Sequence, residues 1–357
     1  MNIFFSDDDG RVWDAGGAIV DAGGSRNYDP AGTTPHNLCR LHSGAIGLVY
    51  WQQSAADADA GSLNGVNQGM FCKSSDEAQT WSAPVPISPA RTPSYPTFLI
   101  QLQSGRLIVP NEYAFQQASA GDVRSEMSLC SCLYSDDEGS EWRESPDSMF
   151  VREDEGATLH FVETPTVAET ADGRLLCFMR CEMQRLAQAY SDDAGVHWSL
   201  TELNSLASSR SEVLLLRLPG TADLLCIWNQ ASADEIRSGF YRSRLSSAIS
   251  KDSGRTWGHF RTLVASAGIK SAARIEPGPA EWLVSSGAVP HDPELIPPQG
   301  FRSVRAPRAS VDGDTVFLVF DDRLYGRDAS SPRGWKHLYM RHRLRAVPVA
   351  WFYGKDG

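Results

Sequence analysis

An all-β chain built from repeated propeller blades is what this sequence predicts, and three observations predict it. One short pattern, Ser-x-Asp-x-Gly-x-x-Trp or a near copy, occurs five times: SDDDGRVW from Ser6, SSDEAQTW from Ser74, SDDEGSEW from Ser135, SDDAGVHW from Ser191 and SKDSGRTW from Ser250. Successive copies start 68, 61, 56 and 59 residues apart, and a near-fixed period marks one supersecondary unit repeated along the chain. A period of about sixty residues suits a four-stranded blade with generous loops. Between the copies lie pairs of strand-length apolar runs, with no low-complexity segment, basic run or amphipathic helix to interrupt them.

Each part of the repeat has a mechanical role. Asp8, Asp76, Asp137, Asp193 and Asp252 stand where a short acceptor bonds the backbone N–H groups of a tight turn. Gly10, Gly139, Gly195 and Gly254 supply a φ > 0 position, so Ala78 in the second copy predicts a turn that is strained or of another type. Trp13, Trp81, Trp142, Trp198 and Trp257 open the next strand as large apolar wedges. Ahead of each turn come the inner strands, such as TPTVAET and RLLCFMR before Ser191, or EVLLLRL and DLLCIWN before Ser250. The first copy begins at Ser6, so the chain opens inside a blade. RASVDG, TVFLVFDD, HLYMRHRL and VPVAWF within 303–352 predict that C-terminal strands complete that blade by pairing with Ser6–Gly16, which removes sheet edges.

The repeat is the Asp box. Together with SGRLIVPNEYA, ETADGRLLCFMR, RLPGTADLLCIWN, YRSRLSSAISKDSGRTW and LRAVPVAWFY, it makes the chain resemble the sialidase (neuraminidase) superfamily, among the bacterial sialidase-like proteins with Asp-box (BNR) repeats. The resemblance spans nearly the whole chain. It implies one six-bladed β-propeller domain over residues 1–357, with the boxes on outer hairpin turns away from the central pocket.

Composition narrows the function classes. The 357 residues carry 44 acids against 33 bases, a formal charge of −11, which argues against nucleic acid, because phosphate binding needs a basic face. No membrane surface is implied. MNIFFSDDDG has no basic n-region or apolar run of signal length, and the expectation is a soluble, cytoplasmic protein. Seven cysteines, Cys39, Cys72, Cys130, Cys132, Cys177, Cys181 and Cys226, lie mostly in apolar runs and read as buried free thiols. None has zinc-finger spacing, so neither metal nor cofactor is expected. Long loops at 52–68, 116–126, 230–240 and 285–302 are where binding groups gather.

The resemblance also implies a site: three arginines on a substrate carboxylate, a Tyr–Glu pair as nucleophile and an Asp as acid/base. Guanidinium forks suit bidentate carboxylate binding. Arg180, closing LLCFMR, and Arg242, in YRSRLSSAIS, match two of the arginines and stand 62 residues, one repeat, apart. Glu163 in HFVETPTV matches the glutamate, although counting back from Asp172 puts Thr164 in register. A bulge is needed to restore Glu163, since one residue of slip flips a strand side chain to the other face. For the first arginine the sequence offers His36, with Arg40 beyond it; for the acid/base it offers Asn64 and Asn67, with Asp57 and Asp59 nearby. Val304 occupies the tyrosine's place in FRSVRAPRASV, where Arg305 and Arg308 add charge, so the retaining sialidase mechanism is not supported. Tyr325 is the one replacement within reach. Tyr95 with Glu112 and Tyr113, Arg210 with Glu212, and Asp321 with Asp322 are further polar clusters at equivalent inner-strand places. Two carboxylates flanking a sugar serve glycoside hydrolysis, and Glu112 with Glu212 or Glu163 supplies such a pair. Arg210–Glu212 and Asp322–Arg323 are equally readable as structural ion pairs.

These readings favour an exo-acting glycoside hydrolase of the sialidase-like group, with an acidic or unusual terminal sugar other than sialic acid as its carbohydrate partner. A non-catalytic glycan-binding propeller explains the same arginines if no two carboxylates converge. So does a polysaccharide lyase using His36 or a tyrosine as base at a uronate.

Overall fold

The computed structural model describes residues 2–8, 11–18, 37–53, 67–89, 94–117, 125–153, 158–240, 242–280, 301–328, 330 and 335–355. The chain divides into two compact units. The first holds Met1–Phe150, Glu163–Val167 and Ser191–Ser199; the second holds Val151–Val162, Ala168–Tyr190 and Leu200–Gly357.

In the first unit, β1 (Asn2–Phe5) and β2 (Asp14–Ala18) form an antiparallel hairpin across the first Asp box. β3 (Asn37–Arg40), β4 (Ile46–Gln53), β5 (Asn67–Ser74) and β6 (Val85–Pro86) make an antiparallel sheet in sequence order. Next come β7 (Ser94–Pro96), β8 (Ile100–Gln101), β9 (Leu107–Gln117), β10 (Ser125–Ser135) and β11 (Arg143–Glu144), ordered β11-β10-β9-β7 with β8 also on β9. Leu41, Val49, Phe71, Leu99, Leu107, Val109 and Leu133 pack between these sheets as one core.

In the second unit, β12 (Val151–Glu153) and β13 (Thr158–His160) form a short ribbon. The blade of β14 (Glu163–Glu169), β15 (Leu175–Arg180), β16 (Arg185–Ser191) and β17 (Glu202–Ala207) follows, with β14 counted in the first unit as far as Val167. The next has β18 (Leu214–Arg217), β19 (Leu224–Trp228), β20 (Arg244–Ser250) and β21 (Gly258–Ala265), with helix α1 (Ala233–Arg237) between β19 and β20. The last sheet is β22 (Arg302–Asp312), β23 (Thr315–Arg327) and β24 (Trp335–Pro348), ending in helix α2 (Val349–Phe352). Leu176, Phe178, Leu215, Cys226, Trp228 and Trp257 belong to this unit's core. Runs such as LLCFM and LLCIW are apolar throughout because both faces of the strand are covered.

The fold is an all-β propeller, and among the described residues it has five blades, not six. The predicted closure is corrected as well. β1 finds its partner in β2, so the first box staples a hairpin to itself, and the C-terminal sheet has β22, β23 and β24 alone among the described residues. VPVAWF is not a strand: pairing ends at Pro348 and the chain turns into α2.

The Asp boxes behave as the sequence predicts, with one addition. In all five, the Ser Oγ donates to the Asp carboxylate at 2.7–2.9 Å. That carboxylate also accepts the N–H four residues on, at 2.8–2.9 Å. Ala78 is left-handed at φ 63, the strain its side chain implies. The addition is that Glu77, Glu138, Ala194 and Ser253 are left-handed too, so each of these turns has two consecutive positive-φ residues. Trp198 and Trp257 are buried wedges, whereas Trp13 is exposed.

All seven cysteines are free, six of them buried. Cys130 and Cys132 share one face of β10, fully buried. Among the described residues no group of His, Cys, Asp or Glu could hold a metal ion, and no helix is long and apolar enough to cross a membrane.

Candidate functional site

The sequence-predicted residues fall into two sets, one in each unit. In the first unit, Tyr95 on β7 lies opposite Glu112 on β9, with its ring edge-on to Trp51 at 5.7 Å. Glu112 turns one carboxylate oxygen onto the backbone N–H of Thr164 at 2.8 Å. Thr164 is left-handed at φ 49, a conformation that is a genuine outlier for a β-branched residue. Glu163, immediately before it, is buried. At this point, where the sequence leaves the register between Glu163 and Thr164 open, the Glu112 carboxylate accepts a hydrogen bond from the left-handed backbone. The Thr164 hydroxyl is buried without a hydrogen-bond partner.

In the second unit, the end of β15 delivers Arg180, the approach to β18 delivers Glu212, the approach to β20 delivers Arg242, and β22 delivers Arg305 and Arg308. Glu212 is their common point. Its Oε1 accepts from Arg305 at 3.0 Å and lies 3.5 Å from Arg180. Burial alone would raise the Glu212 carboxyl, but Arg305, Arg242 and Arg180 override it and hold the group well below the ordinary carboxylate range. Glu212 is therefore an anion at neutral pH, fit to accept hydrogen bonds and unfit to act as a general acid. Its Oε2 and the Nε of Arg305 are buried with no hydrogen-bond partner. A buried acceptor and a buried donor, both unused, lie in one cluster.

The backbone here is fixed from several directions. Arg242 donates from its side chain to the carbonyl of Arg210 at 3.1 Å, and its own carbonyl accepts the N–H of Val304 at 2.8 Å. Asn229 spans the other side, donating to the carbonyls of Val304 at 2.8 Å and Arg244 at 2.9 Å. Ser211 donates to the Asn229 carbonyl oxygen. Val304 is fully buried, so the place where the resemblance implies a tyrosine is apolar core. Tyr325 packs on Phe301 at 5.7 Å and His337 at 4.7 Å, and its N–H bonds the carbonyl of Phe301.

Two clusters that the sequence reads either as site or as ion pair show the following bonds. Arg210 bonds Glu182 at 2.6 Å, and Glu212 is engaged by Arg305 and Arg180. Asp322, fully buried, is paired with Arg302 and Arg343, while Arg323 pairs with Asp321 at 2.7 Å. Adjacent strand residues point to opposite faces, so Asp322 and Arg323 cannot meet. Arg40 forms an exposed ion pair with Glu77 at 2.7 Å. His36, Asp57, Asp59 and Asn64 lie outside the described residues. Glu182, Ser211 and Asn229 were not visible as site residues in the sequence. Asn229 follows the buried run LLCIW directly, as Asn111, bonded by Ser94 at 2.8 Å, follows LIVP, and that recurrence was the available signal.

Bladed antiparallel sheets joined by Asp-box hairpins define an Asp-box β-propeller protein. The chain belongs to the BNR repeat-like domain family, whose model matches residues 1–291. Among solved structures it is similar to a Dyadobacter fermentans protein of unknown function, at 16% identity and a TM-score of 0.53, covering 87% of this chain and 76% of that one. It is also similar to Trypanosoma rangeli sialidase in complex with 2,3-difluorosialic acid, at 12% identity, 99% and 49% coverage and a TM-score of 0.55. NanB solved with Optactamide matches at 12% identity, 97% and 63% coverage and a TM-score of 0.55. The chain thus spans about half the length of the trypanosomal sialidase, and likeness at this identity is likeness of fold. No curated protein sequence matches it significantly.

Proposed function

We propose that the protein handles glycans by holding the anionic end of an acidic terminal sugar against Arg180, Arg242 and Arg305. The observation that carries this reading is the Glu212 cluster. Buried polar atoms are nearly always satisfied, and here an unused guanidinium Nε and an unused carboxylate oxygen complement a ligand bearing both an anion and a hydroxyl group. The sialidase-like fold supports a glycan-binding or glycoside hydrolase-like function, and the carbohydrate named with the trypanosomal neighbour is an acidic sugar analogue.

Isothermal titration of glucuronate, N-acetylneuraminate and neutral glucose into the full chain tests it. The acidic sugars should bind and glucose should not. Arg180→Ala and Arg305→Ala should each weaken acidic-sugar binding by roughly 2–5 kcal/mol, the scale for truncating one partner of a buried charge pair, with the circular dichroism spectrum retained. Equal binding of charged and neutral sugars would sink the reading.

Turnover is a second reading, and the left-handed Thr164 between Glu163 and the Glu112 carboxylate favours it, because strained backbone of this kind clusters at functional sites. With Val304 in the core, release of sugars from sialic acid glycosides should be poor. A panel of aryl uronides is the assay of choice, with Glu163→Gln as the variant expected to lose activity.

A further inference from the structure

Glu212 and Arg305 touch through one atom each. The Nη2 of Arg305 donates to Glu212 Oε1 at 3.0 Å, and the same oxygen lies 3.5 Å from Arg180. The second atom of each group is unused: Arg305 Nε and Glu212 Oε2 are buried with no hydrogen-bond partner. Nε shares its carbon with Nη2, and Oε2 shares its carbon with Oε1, so an unused donor and an unused acceptor flank a single contact. Two neighbours that could have filled them do not. The Ser211 hydroxyl donates to Asn229, and Val304, fully buried, has no polar atom on its side chain.

The two unused atoms call for different chemistry. Arg305, Arg242 and Arg180 hold Glu212 ionised against its burial, so Oε2 accepts, never donates, and repels a second carboxylate. Arg305 Nε donates and never accepts. A ligand carboxylate therefore belongs on Arg305 and a ligand hydroxyl on Glu212, not the reverse. Because the two atoms flank one contact, a ligand fills both when its carboxylate and its hydroxyl stand on neighbouring carbons.

Resting on the reading that this cluster holds the anionic end of a sugar, we infer that the sugar is a uronate and that Glu212 selects it by accepting a hydrogen bond from the 4-hydroxyl, beside the carbon that bears the carboxylate. In a glycoside of N-acetylneuraminate the carbon bearing the carboxylate is flanked by a methylene, the ring oxygen and the glycosidic oxygen, none of which can donate. Glu212 Oε2 then stays unpaired in the complex, and a buried group left unpaired is what makes a polar site reject an analogue lacking the hydroxyl. Specificity lies with the glutamate, since the arginines meet either carboxylate alike.

The test titrates methyl β-glucuronide, its 4-deoxy analogue and the methyl α-glycoside of N-acetylneuraminate into the full chain and its Glu212→Gln variant, with thermal melts to verify folding. The glucuronide should bind tighter than the 4-deoxy analogue by about tenfold to a hundredfold, the range for a hydrogen bond to a charged group, and the sialoside should track the 4-deoxy analogue. Glu212→Gln keeps the shape and removes the charge, so the gap between the two uronides should narrow to about threefold, the low end for a neutral hydrogen bond. The gap is a ratio, which a general loosening of the arginines leaves unchanged. The intact chain alone decides the assignment where the variant does not fold. Equal affinity for the glucuronide and its 4-deoxy analogue, a sialoside bound as tightly as the glucuronide, or a gap unchanged by Glu212→Gln overturns the assignment and leaves the acidic-sugar reading standing. Binding of none of the three overturns both.

Discussion

Gly139 is a glycine because a side chain there has nowhere to go: its backbone is left-handed at φ 90, and an added Cβ would collide with the ring of Phe71. Phe71 cannot yield easily. It is buried in the first unit's core and packs on Trp142 at 5.4 Å. Gly139→Ala should therefore destabilise by about 1–3 kcal/mol, the usual range for overpacking, while Ala78→Gly at the same position of the second box should stabilise by about 1 kcal/mol by relieving the left-handed Ala78. Urea melts of the two variants check both signs; a neutral Gly139→Ala would mean that Phe71 is free to move. Residue roles of this kind were legible because the box repeats. The single-copy features were not. Arg180 and Arg242 could be paired from their one-repeat spacing, whereas the Arg210–Glu182 bond depends on how two loops meet in space, and spacing along the chain carries no trace of that.

At the scale of elements, the hairpin turns depend on ionised aspartates. Asp76 is held down to about 2, first by the Thr80 hydroxyl, then by the Thr80 N–H and the Ser74 hydroxyl. A carboxylate depressed in the folded state contributes stability that is present above its ordinary value of 3.8 and is lost as the pH falls through about 2. Acid should thus loosen the β5–β6 turn within that window. Titration of the Asp76 carboxyl by NMR should give a midpoint near 2, and Asp76→Asn should abolish the corresponding pH dependence of the melt; a midpoint near 3.8 would show that the turn's bonds do not form in solution. Strands were readable from their apolar runs, and the Asp boxes from their letters. Helix α1 was readable too, though it passed as a loop: Ser232 and Glu235 form a capping box, with the Ser232 side chain accepting from the Glu235 N–H and Glu235 reaching back to the Ser232 N–H. The β22 bulge, where Ala306 and Pro307 together face Phe320, was not readable. APR allows an extra residue without requiring it, and only the pairing with β23 shows that Arg305 and Arg308 share a face.

At the scale of the molecule, five boxes pointed to the propeller class, and the sixth blade that the resemblance implied is absent among the described residues, where the first box staples a two-stranded hairpin. What the second unit has at its C-terminal end is a helical anchor. Phe352 is fully buried, Arg261 lies over the Trp351 ring at 4.1 Å and donates to the Trp351 carbonyl at 2.8 Å, and the Tyr353 hydroxyl donates to Asp223 at 2.6 Å. These contacts tie α2 to β21 and to the turn before β19, so the segment after β24 is part of the unit's core. Phe352→Ala should cost about 3–5 kcal/mol, as for other fully buried aromatics, and deletion of residues 349–357 should cost more, since the Arg261 and Asp223 contacts go with it. Burial and the bond to Asp223 push the Tyr353 phenol up to about 12. Its contribution is complete below its ordinary value of 10 and is lost as the pH rises through about 12. Thermal melts of the intact and shortened chains at neutral pH decide the matter: a deletion that left the midpoint unchanged would show that β22, β23 and β24 hold without their anchor.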